Sequence, residues 1–477
     1  MEKFSIAGLA GIIKAHEQRV TSDERRFFTG VSIDSRTARP GDCFFAIAGD
    51  NFDGHDYLPD VAAKGAACAV VSKDISREDF NGCVLLKVND TVKALGDFAK
   101  QYRRQAAFKV VAITGSVGKT TTRQITHHVL SQHRRCYQAP KNFNNNIGLP
   151  LTLLGAGPTE EVVIAEIGSS SPGEVAYLTR IAQPDIAVVT SVCPAHLSGF
   201  GNLRTIIREK LSIAQGLRSG GILVINGDSS ELVDTCRADL GLQVDGHGSQ
   251  VITFGKSDRC DIQAKNITYN DAASRLTIDG TQVLLPLPGR GNVENALAAW
   301  SVCSRFGLTI DDFASAVKTL PPVPMRAELL QIGTLTVLND CYNANPVSMN
   351  NALDILANLD SSENRRLVFI CGDMAELGQQ AQALHAELGR NIAHAKVKLL
   401  LAVGEFAKIT TRAAKTDDKH RLSSRKAGAL RTKSFKDTLS ACNNLEKFVK
   451  DYDILLVKGS RAAGLELVVE KLKELFE

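Results

Sequence analysis

One run of nine residues, Ile113-Thr114-Gly115-Ser116-Val117-Gly118-Lys119-Thr120-Thr121, has the types and spacing to hold a nucleotide phosphate. Gly115 and Gly118 let the backbone turn tightly enough for its N–H groups to face phosphate oxygens. A helix opening after the loop adds its dipole. Lys119 brings a cation to the outer phosphates, and the Thr120 hydroxyl is placed to ligate Mg²⁺. Gly115, Ser116, Gly118, Lys119, Thr120 and Thr121 are therefore the candidate nucleotide-binding residues. One position departs from the general pattern: Ile113 stands where a glycine is expected. A strand–turn–helix with incidental glycines is the alternative, and Gly-Lys-Thr in this setting argues against it.

A magnesium ion at such a loop takes a carboxylate from the end of a neighbouring strand. Glu166 closes the apolar run Val162-Val163-Ile164-Ala165 and is followed by Gly168 and a serine-rich loop. Ligands of open α/β sheets gather at such strand ends, although a solvated terminal glutamate would look the same. His196, in Val192-Cys193-Pro194-Ala195-His196-Leu197, holds the matching place after the next strand, as metal ligand or as structural histidine. Lys210 lies on the amphipathic stretch that follows, and position alone makes it a helix lysine.

Those groups need a scaffold. Between about residues 108 and 320, buried-strand runs (Lys109–Thr114, Val162–Ile167, Ile186–Thr190, Ile222–Asn226) alternate with amphipathic segments such as Thr121–Leu130 and Leu203–Leu217. That alternation predicts a mostly parallel sheet covered by helices. Val251–Phe254, Ile262–Tyr269 and Arg275–Leu285 look like a meander added to it. Residues 1 to about 106 carry short strand-like runs, Cys43–Ile47 and Ala67–Val71, between turn-rich stretches, as in a small α/β domain with ligand-binding loops. Pro321-Pro322-Val323-Pro324 is the clearest linker signal and the natural hinge. Beyond it the alternation restarts: Leu335–Asn339, Leu367–Cys371, Lys398–Val403 and Ile454–Lys458, with a helix over Ser348–Leu359. The basic, serine-rich stretch from Lys415 to Lys436 reads as a solvated loop. The expected fold is α/β in three domains, 1–106, 107–322 and 323–477, the second a P-loop ATPase domain and the third Rossmann-like.

Bulk properties narrow the function classes. A chain of 477 residues with 44% hydrophobic and 23% charged residues is a multidomain globular protein. A net charge of +4 gives no field for coating nucleic acid. No segment approaches the ~20 apolar residues of a membrane span. Eleven scattered cysteines without a C-x-x-C pair fit reduced thiols in the cytoplasm.

In their order along the chain, these stretches resemble the Mur ligase family of bacterial cell-wall synthesis. Ile33-Asp34-Ser35-Arg36, Pro40-Gly41-Asp42 and Phe52-Asp53-Gly54-His55-Asp56 resemble its uridine-nucleotide-binding domain. Thr114–Thr122, Glu166-Ile167-Gly168, Ala195-His196-Leu197 and Gly291-Asn292-Val293-Glu294-Asn295-Ala296 resemble its ATPase domain. Met325-Arg326, Asp340-Cys341-Tyr342-Asn343-Ala344-Asn345-Pro346, Gly372-Asp373-Met374 and Lys458-Gly459-Ser460-Arg461 resemble its C-terminal domain. Four features, the run Lys141–Pro150, Asp53-Gly54-His55, Tyr342-Asn343-Ala344-Asn345-Pro346 and Gly-Asp-Met-x-Glu-Leu-Gly, look most like members that add D-alanyl-D-alanine to UDP-N-acetylmuramoyl-tripeptide. The Asp-Asn-Pro-Arg signature of the diaminopimelate-adding members is absent.

The resemblance implies roles. Lys119 and the loop would hold ATP, with Asn292 and Asn295 at the adenine and Arg326 and Asp340 reaching over from the C-terminal domain. Thr120 and Glu166 would hold one Mg²⁺, and His196 would help hold a second. Lys210 matches a lysine that family members carbamylate, and with Lys119 and His196 it forms the implied catalytic set. Ser35 and Arg36 would lie near the uridine diphosphate; Asn142, Asn145, Asn146, Tyr342 and Asn343 would face the sugar-peptide and acceptor. A monomer without membrane or nucleic-acid partners is expected. Val117, Cys193, Gly291 and Ala462-Ala463-Gly464 depart from the family pattern, and none removes a charged or metal-binding group.

Overall fold

The runs Lys109–Thr114, Val162–Glu166 and Ile186–Val189 are apolar at consecutive positions, which suits strands covered on both faces. In the computed structural model, which describes residues 1–19, 27–75, 84–140, 142–240, 251–270, 272–359, 365–422 and 430–477, they are parallel neighbours. Lys109–Thr114 sits between the other two, and the pairing places Glu166 beside Ile113 and Val189 beside Thr114. The phosphate loop and Glu166 therefore leave the same edge of one sheet. Cys136–Gln138 flanks Val162–Glu166 on the outside; Ile222–Asn226, Val251–Gly255 and Ile262–Asn270 continue the sheet in parallel beyond Ile186–Val189.

Some expected elements change. Arg275–Leu285 is a hairpin rather than one strand: Ala273–Ile278 and Thr281–Leu285 pair antiparallel across Asp279 and Gly280, both at positive φ. Val251–Gly255 belongs to the parallel part, so the meander starts one strand later. The helix expected over Leu203–Leu217 ends at Leu211 and tightens to a 3₁₀ turn over Ser212–Gly216. Lys415–Lys436 is not a loop within the described residues. Helix Ala407–Leu422 runs into it, and Arg431–Phe435 leaves it as the outer strand of the C-terminal sheet. Its basic residues mislead because an edge strand keeps charged side chains on its open face.

The N-terminal sheet runs, in spatial order, Glu17–Arg19, Val84–Lys87, Cys68–Val71, Asp42–Phe45 and Gly30–Ser32, parallel except for the first. The C-terminal sheet places Leu335–Asn339, Ile454–Lys458, Leu367–Gly372, Leu399–Val403 and Arg431–Phe435 in parallel, with Glu328–Ile332 antiparallel at its edge. Helix Thr91–Gln105 belongs to the N-terminal stretch, yet Leu95, Phe98 and Tyr102 share a buried core with Leu149, Leu153 and Ile181 of the central domain. Arg103 on that helix is fully buried, donating to the carbonyls of Ala182, Phe108 and Gln183 and to Asp185 Oδ2 at 2.7 Å. None of the described cysteines forms a disulfide. No helix among the described residues is long and apolar enough to cross a membrane.

Candidate active site

Strand Lys109–Thr114 delivers the chain into the phosphate loop, and the loop can form only with glycine at two points. Gly115 has φ 148° and a Cβ there would lie 2.1 Å from Thr190 Oγ1. Gly118 has φ 91° and a Cβ would lie 2.2 Å from Asn295 Oδ1. Ser116 ties the loop to the next strand's end: its N–H donates to Ser191 O at 2.7 Å and its hydroxyl to Cys193 O at 2.9 Å. Cys193 thus serves through its backbone, and burial pushes its thiol up to about 11. Helix Lys119–Leu130 starts directly after Gly118.

Lys119 Nζ donates to Gly115 O at 2.8 Å, and burial lowers its pKa against the opposing pull of Glu166. Glu166 is 2% exposed and accepts from Thr120 Oγ1 at 2.8 Å and from Asn144 Nδ2 at 3.1 Å. Arg123 Nε lies 3.5 Å from the same carboxylate. Burial alone would raise the Glu166 pKa; the charges of Lys119, Arg326 and Arg123 outweigh it, so the net shift is downward and the group stays anionic. A buried carboxylate beside a hydroxyl within a cationic frame is an oxygen-donor set that fits a hard divalent cation bridging to phosphate.

His196 begins the short turn Leu197–Phe200 from a left-handed conformation, φ 51°. Burial lowers its pKa, and its Nδ1 meets the carboxylate of Glu376, 180 residues further on. Lys210 is 2% exposed, donates to Ser169 Oγ at 2.6 Å and lies 5.6 Å from the centre of the Phe200 ring. Burial first and the Lys119 charge second push its pKa down to about 7. It stands behind the cleft wall rather than in it.

The C-terminal domain supplies the opposite side. Arg326 sits between Met325 and Ala327, both at positive φ, and its guanidinium stacks 4.1 Å from the centre of the Tyr342 ring. Asp340 accepts from Ala327 N at 3.1 Å and from Lys458 Nζ at 2.6 Å, and Lys458 also reaches Asn343 O at 3.0 Å. One buried lysine therefore holds Asp340 and the Tyr342–Asn343 turn as a unit. Asn292 and Asn295, one helical turn apart, are linked at 3.2 Å, and Thr122 Oγ1 lies 3.3 Å from Asn295 Oδ1.

These groups line one cleft of about 1130 Å³. Its wall takes Ser116 and Gly118–Thr121 from the loop, together with Asn142, Asn145, Asn146, Glu166 and His196. Asn292 and Asn295 come from the far helix, and Arg326, Asp340, Tyr342 and Asn343 from the C-terminal domain. Asn145 Oδ1 accepts from Ile147 N at 3.2 Å and Gly148 N at 2.8 Å, bracing the turn that leads into the next helix. Ser35 and Arg36 do not line this cleft. The Arg36 guanidinium grips Asp34 at 2.7 and 2.9 Å and holds that carboxyl down to about 2, while Ser35 O accepts from Lys64. Asn144, within the Asn142–Asn146 stretch expected near the sugar-peptide, lines the cleft as well, and so do Lys458 and Glu376, to which the sequence reading gives no role. All three stand in motifs that carry the family resemblance, and for Lys458 the available signal is a lysine ending the buried run Ile454–Val457.

Three family models match the chain in succession: the Mur ligase family catalytic domain over residues 27–103, the Mur ligase middle domain over 113–303, and the Mur ligase glutamate ligase domain over 325–461. The UDP-N-acetylmuramoyl-tripeptide–D-alanyl-D-alanine ligase of Bacillus subtilis is 32% identical, the match covering 94% of each chain. The enzyme of that name from Escherichia coli is 32% identical over 93% of each. Among solved structures, MurF from Acinetobacter baumannii superposes with a TM-score of 0.87 at 27% identity over 99% of both chains. MurF ligase from Thermotoga maritima in complex with ADP gives 0.76 at 25% identity, covering 93% of this chain and 97% of that one. With these matches running nearly end to end over the loop, Glu166 and the C-terminal cluster, the chain belongs to the Mur ligase family.

Proposed function

We propose that this protein is the ATP-dependent ligase that joins D-alanyl-D-alanine to UDP-N-acetylmuramoyl-tripeptide, forming ADP and phosphate, in peptidoglycan precursor synthesis. The carrying observation is the meeting, in one cleft, of the phosphate loop, the buried Thr120–Glu166 pair and the C-terminal cations Arg326 and Lys458. The similarity to D-alanyl-D-alanine ligases over 94% of the chain supplies the substrate class.

A carboxylate does not acylate an amine at neutral pH, because its leaving group would be oxide. In the reaction proposed, the terminal carboxylate oxygen of the tripeptide attacks the γ-phosphorus of ATP and ADP departs with the electrons of the broken P–O bond. The neutral amine of D-alanyl-D-alanine then attacks the acyl carbon, gives up one N–H proton to solvent or the departing phosphate, and inorganic phosphate leaves from the tetrahedral intermediate with the electrons of the broken C–O bond. Lys119 and Arg326 would face the phosphates, and the loop N–H groups would position them; this charge neutralisation and alignment is the main catalytic work in phosphoryl transfer. Thr120 and Glu166 would hold one Mg²⁺, and His196 with a carbamylated Lys210 a second; bound there, the ions screen charge on the transferring phosphoryl group. No three His, Cys, Asp or Glu side chains converge among the described residues, so phosphate oxygens and water would complete either shell. A pKa near 7 gives Lys210 the neutral amine that carbon dioxide requires.

The division of labour follows the three units, 1–106, 107–322 and 323–477: sugar nucleotide, ATP and acceptor. Ser35 and Arg36 would meet the uridine diphosphate once Arg36 exchanges Asp34 for phosphate. Closure about Pro321–Pro324 would exclude water from the acyl phosphate. Scattering profiles that stay identical with and without ATP analogue plus sugar-peptide would count against closure. The enzyme works as a cytoplasmic monomer in this reading. Phosphate release from Mg-ATP should require both UDP-N-acetylmuramoyl-tripeptide and D-alanyl-D-alanine, with a product heavier by one dipeptide. Release indifferent to the dipeptide would point to a different acceptor.

A further inference from the structure

We propose that Glu376 is a positioning residue that orients His196 when the C-terminal domain docks on the ATPase domain; this rests on reading His196 as a group that serves the phosphate site. Glu376 lies between strand Leu367–Gly372 of the C-terminal sheet and the turn Gly378–Gln380, whereas His196 follows strand Ile186–Val189 of the central sheet. Its carboxylate meets His196 Nδ1, and both residues line the cleft. An imidazole held by a carboxylate at Nδ1 has a fixed tautomer and ring orientation, and its Nε2 becomes the better donor of an electron pair.

Glu376 is half exposed, and an isolated surface ion pair contributes little to stability. Three further features make this contact more than that. Ser198 N donates to Glu376 O at 3.2 Å, so the two chains are joined through backbone as well as side chain. Gly378 packs so closely that a Cβ there would lie 3.3 Å from Ser198 Cα, and Leu384 of the following helix rests on Leu197, Phe200 and Ile206. Finally, His196 at φ 51° and Glu376 at φ 60° are both left-handed. That conformation costs a non-glycine residue about 1 kcal/mol and persists where surrounding contacts over-determine it. Two such residues facing each other across a domain boundary indicate a backbone bent to make this contact.

The consequence is a link between closure and readiness. With the C-terminal domain away, His196 has lost the carboxylate that orients it, and the turn bearing Phe200, the ring beneath Lys210, has lost its apolar cover. Docking restores both at once. The phosphate site is then complete only when the domain that brings Arg326 and Lys458 has arrived, which limits ATP hydrolysis in the open enzyme.

The test uses the full-length protein and four variants: Glu376→Ala, Glu376→Gln, His196→Ala and the double Glu376→Ala/His196→Ala. Glu376→Ala is expected to lower kcat roughly 10–100-fold with little change in KM for ATP. Glu376→Gln should recover part of the loss, because its amide oxygen still accepts from Nδ1–H. The double variant should be no slower than His196→Ala alone. Independently of turnover, ¹⁵N spectra of histidine-labelled protein should show one imidazole, assigned through His196→Ala, changing its ring shifts in Glu376→Ala. Losses that multiply in the double variant, or an unchanged His196 signal in Glu376→Ala, would overturn the proposal. A wild-type protein that releases no phosphate would sink the ligase reading instead, and the spectra would still decide the Glu376–His196 link.

Discussion

Lys210→Met replaces a 2%-exposed amine, hydrogen-bonded to the Ser169 hydroxyl, by an apolar chain of similar length. The pKa falls from 10.5 to about 7 on folding. At about pH 7.5 roughly three quarters of the side chain is then neutral, against about 0.1% for a free lysine, a gain of several hundredfold in reactive amine. The same shift opposes folding by about 4 kcal/mol at that pH. The sign follows from proton counts. Between pH 7 and 10.5 the unfolded chain holds the proton that the folded one has released, so stability rises with pH through that window; below pH 7 the whole cost is present. The methionine variant should therefore melt higher than wild type near neutral pH in bicarbonate-free buffer, with the advantage shrinking toward pH 10. It should also lose at least about a hundredfold in ligase rate, the stability–activity trade expected of a buried amine kept for function. With ¹³C-bicarbonate, wild type should show a carbamate resonance that the variant lacks. A variant that melts no higher, together with no labelled carbamate in wild type, would refute the view of Lys210 as a desolvated amine kept for carbon dioxide.

Two substitutions test the frame around it. Gly118→Ala should weaken ATP binding at least about tenfold in calorimetry while the fold persists, since the new Cβ would lie 2.2 Å from Asn295 Oδ1 at φ 91°; unchanged affinity would mean that the loop is not the phosphate cradle. Arg103→Met should cost about 3 kcal/mol in urea unfolding, because the carbonyls of Ala182, Phe108 and Gln183 lose this donor at the seam between the first two domains while Asp185 keeps only Lys109 and Val110 N, and a loss under about 1 kcal/mol would contradict that role.

Much of the site is legible in the sequence. The loop, Glu166, His196 and Arg326 were each signalled by a strand end or a motif, and the structure brings them to one cleft. Misreadings came where local pattern and tertiary placement diverge. Arg431–Phe435 looked like part of a solvated loop because an edge strand carries polar residues. Arg275–Leu285 looked like one strand because Asp279-Gly280 is a turn too short to break the run. Asn145 lines the cleft as its motif implies, and its side-chain oxygen also braces the turn into the next helix, a second use that needs the following backbone to be seen.

By itself the sequence determined the alternation of strand and helix, the phosphate loop with its glycines, and the family, because these depend on residues near one another in the chain. Periodicity and turn chemistry are local, so a one-dimensional string carries them. Tertiary structure alone decided which charges face each other. Lys458 beside Asp340, Glu376 against His196, and Lys119, Arg123 and Arg326 around Glu166 join residues up to 180 positions apart. The same holds for the depressed pKa of Lys210, which looked in the sequence like any helix lysine. Its chemistry comes from exclusion of water, and burial belongs to the packed molecule rather than to any residue in it.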